Sequence, residues 1–357
     1  MRPNGEVPVG PTEPADRGEA VRRWRALLGR PRSRPRPAGI APPLAPPLVP
    51  PPPAPTLVPP AQRVGEPPPI PVQPVAPPLP PALVGTVPVT QALEMIRADV
   101  GAPKAVAFVN PKGGVHKTTA TVLAAATLGS VRGGGVLAWD DNELRGTLGL
   151  RAGTARHART IKHLIGDLPG VETAIGQGQP IREVLENYLR HSSDGSFDVL
   201  AGDEDPRVAR HLNPDVVQRL MTLLTSAYDI VCVDTGNNVE SANWKTVIQR
   251  SDRMVVTTLP REDAAFTADW MLDLLEEDGH ADLVADAVTV LSCPSPIRSP
   301  LLEELVEHFA QRTRAVAVIP YDPALESGST IAFSQIADVT RRAWLDASAA
   351  LVQGWGR

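Results

Sequence analysis

A chain of 357 residues with a formal net charge of −5 has room for one to three domains. Its two cysteines, Cys232 and Cys293, sit in apolar runs without metal-ligand spacing, which excludes a disulfide scaffold and a zinc cluster. No apolar run approaches the ~18 residues that span a bilayer, and the N-terminus lacks the apolar stretch of a secretory signal. The protein is therefore expected in the cytoplasm, with no transmembrane segment and both thiols buried and reduced.

Proline divides the chain. Of 40 prolines, 28 fall within residues 1–88. Proline fixes φ and removes an amide donor, so runs such as Pro50-Pro51-Pro52-Pro53 can join neither a helix interior nor a central strand. Residues 1–88 are expected to be a disordered, polyproline-II-like arm. Charge splits at the same place. The arm holds 10 Arg and 5 acidic groups, and the remainder 25 basic and 35 acidic groups. Attraction to nucleic acid or anionic lipid is thus expected on the arm first. Within it, residues 19–30 (EAVRRWRALLGR) place Val21, Trp24, Leu27 and Leu28 on one helical face among arginines. The segment reads either as a transient helix or as one that docks on a partner or membrane. Pro43-Leu44-Ala45-Pro46 has PxxP ligand spacing, so the arm is either a spacer or the recruiter of an unknown protein partner.

Residues 89–103 are a lead-in helix and linker, with the helical pattern running from Val89 to Gly101. Seven short apolar strands follow, at Ala105–Asn110, Gly135–Trp139, Phe197–Ala201, Asp229–Asp234, Arg253–Thr258, Ala287–Cys293 and Ala315–Ile319. Between them lie helical patterns such as Thr118–Leu128, Pro214–Ala227, Ala264–Glu277 and Leu301–Gln311. This alternation predicts an α/β domain over residues 104–357, a mostly parallel sheet with helices on both faces. The C-terminal stretch TRRAWLDASAALVQGWGR reads as its last helix.

The first strand runs into Asn110-Pro111-Lys112-Gly113-Gly114-Val115-His116-Lys117-Thr118-Thr119 and then an Ala/Leu-rich helix. Strand, glycine turn and helix N-terminus together form an anion site, because backbone amides converge where the helix dipole favours phosphate. Lys117 is expected at the β- and γ-phosphates and the Thr118 hydroxyl on Mg²⁺. The chain has only 5 Lys against 30 Arg, and two of those lysines stand in this loop.

Lys112-Gly113-Gly114-Val115-x-Lys117-Thr118-Thr119 resembles the deviant Walker A loop of the ParA/MinD ATPases, and the likeness extends to strands ending at Asp140 and Asp234 and to the run ending at Asp322. The resemblance implies a SIMIBI-type P-loop NTPase fold, ATP and Mg²⁺ as cofactors, and slow ATP hydrolysis. Gly113, Gly114, Val115, His116, Lys117, Thr118 and Thr119 would then cradle the phosphates, with Thr118 and Asp234 serving the metal. Lys112 matches the lysine that reaches the partner's phosphates in an ATP-dependent homodimer. The implied role is a nucleotide switch that positions, partitions or helps secrete a cargo. DNA is a candidate partner, while the lack of a basic amphipathic C-terminal tail disfavours a membrane surface. A proline-rich N-terminus before such a domain is similar to members associated with type VII secretion.

Two departures from the family pattern bear on catalysis. His116 replaces the glycine before the loop lysine, and costs about 1–2 kcal/mol if positive φ is required there. Its imidazole is expected either in solvent or near the phosphates. After Asp140 the chain reads Asp141-Asn142-Glu143, so Asp140 matches the family's first aspartate and Asn142 takes the place of the second, and the resemblance makes both catalytic candidates with Lys112 and Asp234. An amide cannot accept the proton, so Asp141 or Glu143 is a substitute candidate. Thr235-Gly236-Asn237-Asn238 is expected to be a switch loop. No asparagine marks a base site near Ser292-Cys293-Pro294. The alternative to a slow ATPase is a catalytically degenerate scaffold whose arm recruits partners.

Overall fold

The computed structural model describes residues 87–142, 146–153, 160–203 and 212–356. Residues 1–86 of the expected arm, with its 19–30 segment and the PxxP spacing, and Glu143 lie outside the described residues. The strands are β1 (Lys104–Val109), β2 (Val136–Asp141), β3 (Arg190–His191), β4 (Asp198–Leu200), β5 (Ile230–Thr235), β6 (Arg253–Thr258), β7 (Val288–Ser292) and β8 (Ala315–Ile319). They form one sheet in the order β3-β4-β2-β5-β1-β6-β7-β8. Every pairing is parallel except β3 with β4.

Helices cover both faces, as near-continuous apolar strands demand. On one side lie α1 (Val89–Arg97), α2 (Lys117–Arg132), α3 (Leu148–Ala152) and α12 (Asp338–Val352). On the other lie α4 (Ile161–Gly176), α5 (Ile181–Glu186), α6 (Pro214–Ala227), α7 (Ala242–Gln249), α8 (Glu262–Glu277), α9 (Ala281–Ala285) and α10 (Leu302–Arg312). The short α11 (Pro323–Glu326) follows β8. The period-2 pattern of β1 shows the division: Ala105, Ala107 and Val109 enter one core, Val106 and Phe108 the other. Fully burying a side chain such as Phe108 contributes about 1.5–3 kcal/mol, which fixes the strand that launches the phosphate loop.

Three local differences from the sequence pattern have clear causes. The lead-in helix stops at Arg97, not Gly101, because Arg132 Nη1 donates to the carbonyls of Ile96 (2.7 Å) and Ala98 (2.9 Å) and the chain turns at Gly101 with φ 72°. Strand β3 is two residues long, too short to show alternation. Cys232 is core as expected, whereas Cys293 is only half-buried and lines a cavity at the C-terminal end of the sheet. Burial pushes both thiols up, to about 12 and about 11. Among the described residues no helix is long and apolar enough to cross a membrane.

Candidate phosphate-binding site

The site sits where β1, β2 and β5 end, the position at which parallel α/β sheets bind ligands. Asn110 ends β1 and organises the loop from beneath. Its buried side chain donates from Nδ2 to the Thr257 carbonyl (2.8 Å) and accepts from the Lys112 amide (2.8 Å). Gly114 has φ 75°, the left-handed region that glycine enters without a Cβ penalty. His116 has φ 66° and ψ 25°, and among the described residues it is the one non-glycine residue with positive φ. The position thus requires the left-handed conformation, and histidine carries a strain of about 1–2 kcal/mol there. Its imidazole does not point to solvent. It is half-buried between the phosphate cleft and the neighbouring cavity, and its pKa is lowered by burial and then by the Arg151 charge.

Helix α2 starts immediately after, with no side chain capping its N-terminus and no acidic residue in its first turn. Its first-turn amides therefore remain available to an anion. Lys117 is buried and donates from Nζ to the Asn110 carbonyl (2.9 Å) and to Asn237 Oδ1. Burial lowers its pKa, opposed by the Asp234 charge. Thr118 Oγ1 donates to Asp234 Oδ2 at 2.6 Å. The second Asp234 oxygen, Oδ1, is buried without a hydrogen-bond partner. An orphaned carboxylate oxygen beside a threonine hydroxyl, at the foot of a glycine loop, suits a divalent cation and its water shell. No cluster of three His, Cys, Asp or Glu side chains at metal-binding geometry exists among the described residues.

The remaining sequence candidates separate. Gly113, Gly114, Val115, His116, Lys117, Thr118, Thr119, Asn142 and Asp234 line one cleft of about 420 Å³. Lys112 is outside it, half-exposed, with its ammonium 3.2 Å from Asp263 on α8. Asp140 is also outside the lining. It stands in register beside Asp234 but turns its carboxylate to the amides of Leu148 (3.0 Å) and Asn142 (3.2 Å). A Cβ on Gly146 would come within 2.4 Å of Asp140 Oδ2, so only glycine lets the following loop close over this carboxylate. Asp141 is buried against a second cavity that shares Asn142 and Asn237 with the cleft.

Sequence reasoning missed two contributors. Asn237 was read only as a permissive loop residue, yet its side chain holds Lys117. Arg151, on α3, lines the cleft and donates from Nη2 to Thr119 Oγ1 (2.7 Å). Neither belongs to a contiguous motif, so only the fold brings them in. The cavity beside the cleft is lined by His116, Cys293, Pro294, Tyr321 and Leu325. Asp322 shapes it by accepting from the amides of Ala324 (3.0 Å) and Ala337 (2.9 Å).

Burial pushes Asp140 up to about 6, against its backbone hydrogen bonds. Burial and then the Asp140 charge push Asp234 up to about 7, against Thr118 and Lys117. Both folded values exceed the unfolded value of 3.8, so between about pH 4 and pH 7 this pair holds more protons in the native chain than in the unfolded one, whereas the lowered His116 imidazole acts with the opposite sign and is outweighed by the two carboxylates. This pair therefore makes stability fall as pH rises through that window. The carboxylates of Glu172, Asp194 and Asp263 are held low and act below it. Urea midpoints measured without divalent cations are expected to drop from pH 5 to pH 7.5. The drop should shrink in Asp234→Asn, which cannot ionise.

No family model matches the chain. It is 27% identical over 265 residues to the ESX-1 secretion-associated protein EspI of Mycobacterium tuberculosis. That match covers 71% of this chain but 37% of EspI, well under two thirds of the relative's length. Solved structures with the same architecture include a ParA family ATPase from Chlorobium tepidum (TM-score 0.57, 19% identity, 69% of this chain and 98% of that one). They also include the septum site-determining protein MinD with Mg-ADP from Pyrococcus horikoshii (TM-score 0.53, 18% identity, 69% and 94%). An McdA from a Cyanothece matches with a TM-score of 0.52 at 14% identity, over 70% and 99%. Over 69–70% of its length, this chain has the fold of the ParA/MinD ATPases.

Proposed function

We propose that the protein is an ATP-binding switch that takes ATP with Mg²⁺, dimerises on doing so and hydrolyses it slowly. The observation that carries this reading is the Thr118–Asp234 pair with its orphaned oxygen, set beneath a loop whose lysine is already buried in place. When bound, Mg²⁺ supplies charge neutralisation between the phosphate oxygens. Thr118 and Asp234 would hold it, directly or through water. Lys117 and the amides of residues 113–119 would hold the phosphates, and Asn237 orients Lys117 before any ligand arrives. The Mg-ADP named for the Pyrococcus horikoshii MinD supports the same ligand class here. The EspI likeness supports a role associated with type VII secretion, with the cargo and the arm's partner on that pathway.

Lys112 lies outside this chain's cleft and would serve that of a second copy. Its ion pair with Asp263 is exposed on both sides, so breaking it costs little. Lys112→Ala is expected to keep Mg-ATP binding within a few-fold of wild type while abolishing the ATP-analogue-induced dimer in size-exclusion with light scattering. A variant that still dimerises would remove the cross-dimer role; a wild type that never binds ATP would remove the whole reading. Asn142 in the cleft, where a carboxylate would accept a proton, favours one second reading: a nucleotide-binding scaffold without turnover.

A further inference from the structure

Among the described residues, other arginines with little-exposed side chains come with carboxylates. Arg253 pairs with Asp286, and Arg312 pairs with Asp269, Asp273 and Glu276. Arg132 pairs with Asp229. Arg151 breaks the rule. It is 8% exposed, and its guanidinium has two neutral acceptors: Thr119 Oγ1 at 2.7 Å from Nη2, and the Ser329 carbonyl at 2.9 Å from Nη1. Among the described residues no carboxylate forms a salt bridge with it. A charge taken out of water without a counter-charge is costly, and a guanidinium fork is shaped for an anion.

The place of that cation identifies the anion. Arg151 lines the same cleft as the glycine loop. Its partner Thr119 and its neighbour His116 also line the adjoining cavity, on the side away from Asp234 and Asn237. Arg151 is thus on the stretch of cleft between the metal end and that cavity. The loop behind it is stitched to α3, with Thr330 Oγ1 donating to the Leu150 carbonyl (2.9 Å) and the Ile331 amide to the Arg151 carbonyl (2.7 Å). Burial is the one cause that lowers the Arg151 pKa, as expected where no carboxylate compensates.

We infer that Arg151 is a nucleotide-binding residue whose guanidinium contacts, from within the same chain, the phosphates that ADP and ATP share. This rests on the nucleotide reading of the glycine loop and adds a second buried cation to it. Arg151 acts on affinity for the diphosphate and not on the terminal phosphate.

The test uses the full chain, fluorescent ADP and ATP with Mg²⁺, and thermal melts with and without nucleotide. Arg151→Met removes the charge at similar length. It is expected to weaken ADP and ATP alike by about 10- to 100-fold, the loss of one or two charge-assisted hydrogen bonds. The nucleotide-free melting temperature should hold or rise, because an uncompensated buried charge has gone. Arg151→Lys should lose less affinity than Arg151→Met, and Arg151→Gln, the fallback if the methionine variant does not fold, should lose as much. Unchanged affinity with a lower melting temperature would overturn the inference and leave Arg151 a strut between Thr119 and Ser329. A loss confined to ATP would overturn it in favour of the terminal phosphate. In both cases Lys117→Ala, run alongside, shows whether the glycine loop itself binds nucleotide.

Discussion

Lys117→Ala is expected to weaken Mg-ATP binding by about 10²- to 10⁴-fold, the equivalent of two charge-assisted hydrogen bonds at about 1.5–3 kcal/mol each. The ammonium is pre-positioned: it is buried, and it is held by the Asn110 carbonyl and Asn237 before ligand arrives. Holding a desolvated ammonium there is unfavourable, as its lowered pKa records, so a phosphate that replaces those neutral acceptors gains a strong interaction. The nucleotide-free variant should unfold near the wild-type temperature, because a buried charge and its two hydrogen bonds disappear together. Titration of fluorescent ATP into wild type and variant checks the prediction. Equal affinities would mean that the glycine loop is a structural turn.

The double variant His116→Gly, Asn142→Asp is expected to hydrolyse ATP about 10²-fold or more faster than wild type, with ATP affinity changed only a few-fold. The effect divides between the two positions. Asn142 lines the cleft at the end of β2, where a carboxylate would take a proton from the attacking water and an amide cannot. At φ 66° and ψ 25°, His116 is strained by about 1–2 kcal/mol, which glycine would relieve while losing about 0.5–1 kcal/mol to its greater unfolded-state freedom. Those terms nearly cancel, so the melting temperature should barely move and a rate change reports chemistry. Steady-state phosphate release is the measurement. If the double variant is no faster and wild type already turns over at ordinary enzyme rates, both departures are neutral. Asp141, buried beside Asn142 in the adjoining cavity, then becomes the better candidate for the proton acceptor.

The order of elements, the parallel sheet and the phosphate loop were legible in the sequence because each rests on local rules. Apolar runs of strand length, helical spacing and a glycine turn before a lysine all act over a few residues. The aspartates one residue inside the ends of β2 and β5, Asp140 and Asp234, were legible for the same reason, and both stand in register on neighbouring strands. What each carboxylate faces was not. Asp234 turns to Thr118, whereas Asp140 turns to backbone amides across Gly146, because the loop after β2 folds back over it. That choice depends on how the chain returns at Gly146 and Leu148, which the strand pattern does not encode. The open reading of His116 was likewise decided by packing, which places the ring between two cavities.

By itself, the sequence determined that a glycine loop follows β1, and that a lysine and a threonine start the helix behind it. Those residues are contiguous, and backbone geometry alone brings them together. Tertiary structure alone decided which remote side chains complete the site: Asn237 on Lys117, Arg151 on Thr119 and Asp263 on Lys112. Each pair is separated by more than thirty residues in sequence, and no local pattern encodes it. The parallel crossovers set those contacts by delivering β2, β5 and β6 to the same edge as the loop. The chemistry of each partner then settles what it holds: an amide or carboxylate oxygen accepts from a lysine, and a guanidinium donates to the threonine hydroxyl.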